Sequence, residues 1–312
     1  MILRPSPLQM AATDWLLLIA LSALWGGSFY FAKVAVLEIP PLTLAFGRVL
    51  IAGAVIAVLM RPLGGSFPRD ARTWWTFTIL AALNNAIPFT LILWAQIHIT
   101  VGLASILNAT SPLFTVVIAH FVTHDDKLTM GRAFGLIAGF GGVVVLIGPD
   151  LLSDLGQHVW AQLALLTAAL FYACGALFAR RRLSGHKPVA IAGGQLVMSA
   201  LLLLPFALVV DRPWTLPPVS NAAIVAMVSL AVLSTALAYL IYFRIIGRAG
   251  ATNAMLVTLL IPVSAILLGI WLLDEELDLR QLAGMSAIAI GLAAIDGRLA
   301  RFLSQKFRPT IS

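Results

Sequence analysis

The chain has 312 residues, of which 61% are hydrophobic and only 11% charged, with a mean hydropathy of +0.99. So little charge cannot cover the surface of a water-soluble domain, so the soluble globular classes are excluded and an all-α membrane protein is expected. The net charge of +7 is spread over short loops that form no basic folded surface. It therefore points to anionic lipid headgroups as partners and not to nucleic acid.

A spanning helix needs about 20 mostly apolar residues. Ten such stretches follow one another, near 15–36, 41–60, 73–97, 101–122, 131–148, 159–180, 189–210, 219–243, 251–273 and 280–297. The first has Arg4 as a basic flank, but no small-x-small cleavage pattern follows, so it reads as a span and not as a signal peptide. With the amino terminus in the cytoplasm, that side collects Arg4, Arg61, Arg69, Arg72, Lys127, Arg132, Arg180, Arg181, Arg182, Lys187, Arg244, Arg248, Arg298, Arg301, Lys306 and Arg308. Lys33, Arg212 and Arg280 fall on the other side, and Arg48 lies within a helix. This positive-inside bias sets both termini in the cytoplasm.

The stretch from Gly102 to Asp125 recurs in altered form from Thr252 to Glu275, each copy with a proline (Pro112, Pro262) followed by a carboxylate (Asp125, Glu275). A shift of 150 places lays Ala104 on Ala254 and Pro112 on Pro262, one of 149 lays Gly135 on Gly284, and one of 147 lays Arg48 on Gln195. Residues 1–150 and 151–312 thus form two five-span halves of one membrane domain. Because five is odd, the second half is inverted relative to the first. Inverted repeats recur in secondary transporters, with the substrate site near the bilayer midplane between the halves. Proline removes a backbone donor and bends a helix, so Pro112 and Pro262 are expected to act as paired hinges.

The residues from Ala23 to Phe29, with Lys33 beyond them, resemble the opening of EamA-type members of the drug/metabolite transporter superfamily. Arg48 in the second span, the proline and acidic residue of the fourth and the glycine-spaced fifth (Gly135, Gly139, Gly142) fit the same family, as do Pro262, Glu275, Gly284 and Gly291 in the second half. One departure is His124-Asp125, where the family usually has Gly-Glu. The resemblance implies a ten-helix exporter of small metabolites, often amino acids, in a bacterial inner membrane.

Polar groups inside a bilayer are costly unless paired or facing water, so their faces are informative. Asn85, Phe89, Ile92 and Gln96 share one helical stripe, and Thr235, Tyr239, Tyr242 and Ile246 form its repeat partner. Together the stripes are expected to wall a solute cavity, with Asn84 and Ser234 beside them and aromatic surface from Trp25 and Tyr172. The bland reading of each such residue is a hydrogen bond to a neighbouring helix.

Arg48, seven residues into its span and about 10 Å along the axis, is expected to snorkel to the outer surface, or else to meet Glu38 or a carboxylate of the solute. Asp125 and Glu275 read as structural, accepting from the first amides of the following span or pairing with Lys127 or Arg280. The Gly135/Gly139 seam reads as internal packing and the chain as a monomer, with a dimer as the alternative.

Cys174 is the single cysteine, and there is no HExxH, no P-loop and no GxSxG, so no catalytic residues, metal or cofactor are expected. Asp14, Glu38 and Asp296 lie at span ends and His98 and His120 toward edges, which favours facilitated movement of a neutral or zwitterionic solute over proton coupling. The leading reading is an alternating-access carrier for amino acids, neutral or aromatic. A multidrug or nucleoside-like exporter is the alternative, ahead of a non-transporting receptor, a scaffold or an intramembrane enzyme.

Overall fold

The computed structural model describes residues 10–122, 128–153 and 157–296. Asp125 and Lys127, singled out above, lie outside them. Among the described residues the chain is helical throughout, with no strand.

In chain order the long helices are α1 (Ala12–Val36), α2 (Pro41–Met60), α3 (Ala71–His98), α4 (Val101–Val122), α5 (Met130–Ser153), α6 (Gln157–Arg182), α7 (Pro188–Asp211), α8 (Asn221–Ala249), α9 (Val257–Leu273) and α10 (Leu279–Asp296). The first eight are long and apolar enough to cross a membrane, and the last two are shorter apolar helices. A one-turn helix, Ala251–Ala254, precedes α9 across a turn at Met255–Leu256.

Helix starts follow local chemistry. Asp70, Thr100 and Ser220 each accept from a backbone amide three residues on, and prolines occupy the first turns of α2 and α7, where their missing donor costs nothing. Other starts are capped from afar. Asp211, at the end of α7, accepts from the amide and hydroxyl of Thr43 at 2.6 and 2.9 Å. Glu38, after α1, accepts from the amide and hydroxyl of Ser220 at 2.7 and 2.6 Å. These bonds gather the ends of α1 and α7 with the starts of α2 and α8 at one end of the bundle.

The other end is gathered by basic residues. Arg248 pairs with Asp14 at 2.7 Å, Arg181 donates to the Val122 carbonyl and Lys187 to the Gly64 carbonyl.

Within the bundle α1 packs on α8 and α9, while α6 packs on α3 and α4; α2 pairs with α7 and α5 with α10. Small residues permit the tightest crossings. A Cβ on Gly26 would come 2.5 Å from the Ser264 Cβ and 2.8 Å from the Ala265 nitrogen, and the neighbouring hydroxyls of Ser22 and Ser264 bond at 2.5 Å. Along α5 and α10, Gly135 faces the Gly291 carbonyl and Gly142 the Gly284 carbonyl. The Gly135 seam is thus internal, between two helices of one chain.

The prolines are not equivalent. Pro112 is the second residue of the helical segment that resumes after a break at Ala109–Thr110, a position that tolerates proline. Pro262 lies inside unbroken α9, and the break on that side falls six residues earlier, at Met255–Leu256. The expected bends at matching places are therefore corrected: the interruptions adjoin tight three-residue backbone bonds, Thr110 to Leu107 and Leu256 to Asn253.

Gly291→Ala would drive a Cβ to 2.5 Å from the Gly135 carbonyl and should destabilise by about 1–3 kcal/mol, as overpacking does. Gly141→Ala, whose Cβ meets nothing within 4 Å, should be neutral or slightly stabilising. Thermal unfolding in detergent distinguishes the pair. A pH effect is expected at Glu38, whose carboxyl is held below its ordinary value by the Ser220 hydroxyl and amide. A depressed folded value means that the stabilisation is present above the unfolded carboxylate range and lost as pH falls through the folded one. Glu38→Gln should flatten that acid limb in a melting-temperature titration.

Candidate functional site

The middle of the bundle is marked by two departures from α-helical geometry. Residues Ala82–Ala86 of α3 and Val232–Leu237 of α8 each form a π-turn. A shift of about 150 residues superposes them, so that Asn84 and Asn85 correspond to Ser234 and Thr235. Widening a helix to i→i+5 bonding releases backbone groups and re-aims side chains, which is why π-turns concentrate at functional positions.

On α8 a backbone carbonyl is recaptured by a side chain, and the polar side chains of both turns bond neighbouring helices. Thr235 Oγ1 donates to the Leu230 carbonyl at 2.9 Å and accepts from Arg48 Nε at 2.9 Å. On α3, Asn85 Nδ2 donates to Ser199 Oγ at 2.9 Å and Asn84 Nδ2 to Gln195 Oε1 at 3.4 Å. The Tyr239 hydroxyl donates to Asn85 Oδ1 at 3.2 Å, joining the two π-turn helices.

Aromatic rings close around this polar group. The Arg48 guanidinium lies 3.7 Å from the centre of the Phe89 ring, and Trp25 packs on Tyr242 with ring centres 5.2 Å apart. Tyr172 and Tyr239 both pack against the buried cluster that contains Ala86 and Phe89. Asn85, Thr235, Phe89 and Gln96 are all buried.

The structure therefore brings Asn85, Phe89, Thr235, Tyr239 and Tyr172 together, with Asn84 one contact away and Trp25 and Tyr242 as a neighbouring stack. Gln96 stands apart toward the end of α3, its Nε2 donating to the Phe29 carbonyl at 2.8 Å and its Oε1 buried without a partner. Snorkelling of Arg48 is corrected. The side chain is only 8% exposed and turns inward to Thr235, because the π-turn offers it an acceptor, and Glu38 is engaged by Ser220 instead. Periodicity could not announce Arg48 as a member of the cluster, although a lone arginine well inside an apolar span was the available signal.

A cleft of about 660 Å³ opens at the end of the bundle where α1, α3 and α9 finish. Lys33, His98, Thr100, His158, Gln162, Glu275, Arg280 and Gln281 supply its polar lining, and none of Trp25, Asn84, Asn85, Phe89, Gln96, Tyr172, Thr235, Tyr239 or Tyr242 lines it. Its inner edge is tied by Lys33 Nζ, which donates to the carbonyls of Gln96 and Ile99 at 2.6 and 3.0 Å. Glu275 accepts from the amides of Val101 and Gly102 at 2.7 and 3.2 Å. It thus caps a helix start as expected, but the start of α4 and not that of the following span. Gly269 makes the room, since a Cβ there would lie 2.6 Å from Glu275 Oε2.

Among the described residues no group of three or more His, Cys, Asp or Glu side chains could hold a metal.

Comparison with known proteins gives this geometry a context. The model of the EamA-like transporter family matches the chain twice, over residues 13–148 and 159–295. The probable amino-acid metabolite efflux pump of Salmonella typhimurium (strain LT2) is 30% identical over 298 residues, covering 91% of this chain and 94% of its own. The Escherichia coli (strain K12) protein of the same description is 29% identical over 298 residues, with the same coverage. The uncharacterized transporter YoaV of Bacillus subtilis (strain 168) is 22% identical over 279 residues, covering 88% of this chain and 94% of its own. A crystal structure with 20% sequence identity superposes at a TM-score of 0.66 over 94% of this chain and 99% of that one, a likeness of fold.

Glu275→Ala would leave the first amides of α4 uncapped and should cost about 1–2 kcal/mol of stability, the usual range for a lost cap. Glu275→Gln keeps one acceptor and should cost less, as judged by the ordering of the three melting temperatures.

Proposed function

Because the chain belongs to the EamA-like transporter family and carries eight apolar helices of spanning length, it is a multi-pass integral membrane protein, and we propose that it is a secondary carrier moving amino acids, neutral or aromatic, by alternating access. The observation that carries this reading is the pair of mid-helix π-turns, one in α3 and one in α8, linked by the hydroxyl of Tyr239, just past the second turn, donating to Asn85 in the first.

The architecture proposed is ten spans in two inverted halves, 1–150 and 151–312, with both termini cytoplasmic. Several features support it. The family model matches once in each half. The packing of α1 on α8 and α9 is repeated by α6 on α3 and α4, as a two-fold exchange of halves requires. The one-turn helix at Ala251–Ala254 extends α9, whose 17 residues alone would reach only about 26 Å. Arg181, Lys187 and Arg248 meet at one end of the bundle, which the positive-inside rule makes cytoplasmic.

In that orientation the cleft faces outward, and its volume is of a size that holds small molecules. Below it lies the closed cluster of Asn85, Phe89, Tyr172, Thr235 and Tyr239, with Asn84, Trp25 and Tyr242 at its margins, which we assign as the solute site, and Gln96 stands between it and the cleft end of α3. The bond of Lys33 to the end of α3 separates the two. The helix breaks at Ala109–Thr110, just before Pro112, and at Met255–Leu256, a turn and a half ahead of Pro262, are the flex points. Discontinuous helices at a repeat interface are how carriers admit a solute without exposing backbone to lipid. Amino acids are favoured as solutes because two relatives, 30% and 29% identical, are described as probable amino-acid metabolite efflux pumps. Export, a bacterial inner membrane and a monomer surrounded by lipid complete the reading.

Purified protein in liposomes should show counterflow of at least one neutral or aromatic amino acid. Tyr239→Ala and Asn85→Ala, which each break the bond joining α3 to α8, should lower the rate roughly tenfold, the worth of one buried hydrogen bond. Unchanged rates and preferences in folded variants would place the site elsewhere.

A further inference from the structure

Arg48 sets a problem that its neighbours do not. It lies mid-bundle, nine-tenths buried, and its described polar contacts are few: Nε donates to Thr235 Oγ1, and the guanidinium stacks on Phe89. The Nη groups donate to no described residue, and among the described residues no carboxylate pairs with the side chain. A buried cation without a counter-ion is among the costliest groups that a membrane interior can hold, and such residues persist where they meet a charged or polar ligand.

The repeat shows that packing alone does not require the charge. The related contact, between α7 and the π-turn of α3, is made by neutral groups, with Gln195 standing where the shift places Arg48 and accepting from Asn84. The two halves thus solve the same packing problem twice, once with an amide and once with a guanidinium. The difference is a single positive charge on one side of the interface. Thr235 and Phe89 hold the guanidinium plane in place, which leaves the Nη edge, the geometry that takes a carboxylate through two parallel bonds.

We propose that Arg48 is the anion-binding residue of the solute site and that the solute class is defined by a free carboxylate on an apolar or aromatic body. This rests on the carrier reading for its setting but goes beyond it. Among Asn85, Thr235, Tyr172 and Tyr239 there is no acid to hold an ammonium group, so the amine of an amino acid is dispensable. The corresponding 2-oxo and 2-hydroxy acids qualify as well, whereas amides of the same side chains do not.

The test measures the melting temperature of the purified protein in detergent against matched sets of leucine, phenylalanine, their 2-oxo and 2-hydroxy acids and their amides, with sodium chloride and sodium phosphate as separate arms. At about a hundredfold excess over Kd, a bound acid should raise the melting temperature by about 5 °C, and the matching amide should not. Arg48→Gln should abolish the acid-dependent shift, and Arg48→Lys should retain part of it. A residue that only braced the fold would lower the baseline without altering the preference for acids over amides. Equal shifts with acids and amides, no shift with any acid, or the same shift with chloride or phosphate alone would each overturn the proposal. If Arg48→Gln does not fold, the wild-type comparison of acid with amide decides by itself. Counterflow separates the two readings. Acid-selective binding without flux would keep the anion site and defeat the carrier, while flux that treats acids and amides alike would defeat the anion site and keep the carrier.

Discussion

Backbone hydrogen bonding inside a membrane is the constraint on which this structure depends. No water is present to replace a lost bond, so every loosened turn must be satisfied from within the protein. The chain loosens its helices in mid-span at Ala82–Ala86 and Val232–Leu237, and on the second of these Thr235 takes the Leu230 carbonyl with its hydroxyl. The polar side chains of both turns also bond a second helix: Thr235 takes Arg48 of α2, and the asparagines reach Gln195 and Ser199 of α7. The polar centre is therefore a product of helix irregularity as much as of the residues themselves.

Close packing supplies the frame around that centre. Lipid tails are as apolar as leucine, so helices in a bilayer associate through fit and hydrogen bonds more than through exclusion of water. The glycines facing one another along α5 and α10, and the Gly26, Ser22 and Ser264 contact of α1 with α9, give such a fit. By contrast α4 is interrupted, as is the chain just before α9, and α4 lies against α6 and α9 against α1.

Carboxylates divide between two tasks of unequal visibility. Glu38, Asp211 and Glu275 all satisfy helix starts that belong to other helices. None of them reaches the polar centre, whose charge comes from Arg48 alone among the described residues. That separation makes the interior electrically one-sided.

Membrane class, the positions of the helices, the shift of about 150 residues between related segments and the nearness of Asn85 on α3 to Tyr239 on α8 were legible in the sequence, whereas Gln96 of the same stripe stands apart. Each rests on hydropathy or on the 3.6-residue period, and both are properties of a segment by itself. The structure adds the π-turns, the inward turn of Arg48 and the choice of α4 as the helix that Glu275 caps. It also seats the open cleft among Lys33, His98 and Glu275, away from the stripes. These could not be read from one dimension, because each depends on which acceptor another helix brings within about 3 Å of a given donor. Pro262 illustrates the difference: its repeat position was plain from the sequence, but only the packed structure shows the helix breaking at Met255–Leu256 instead.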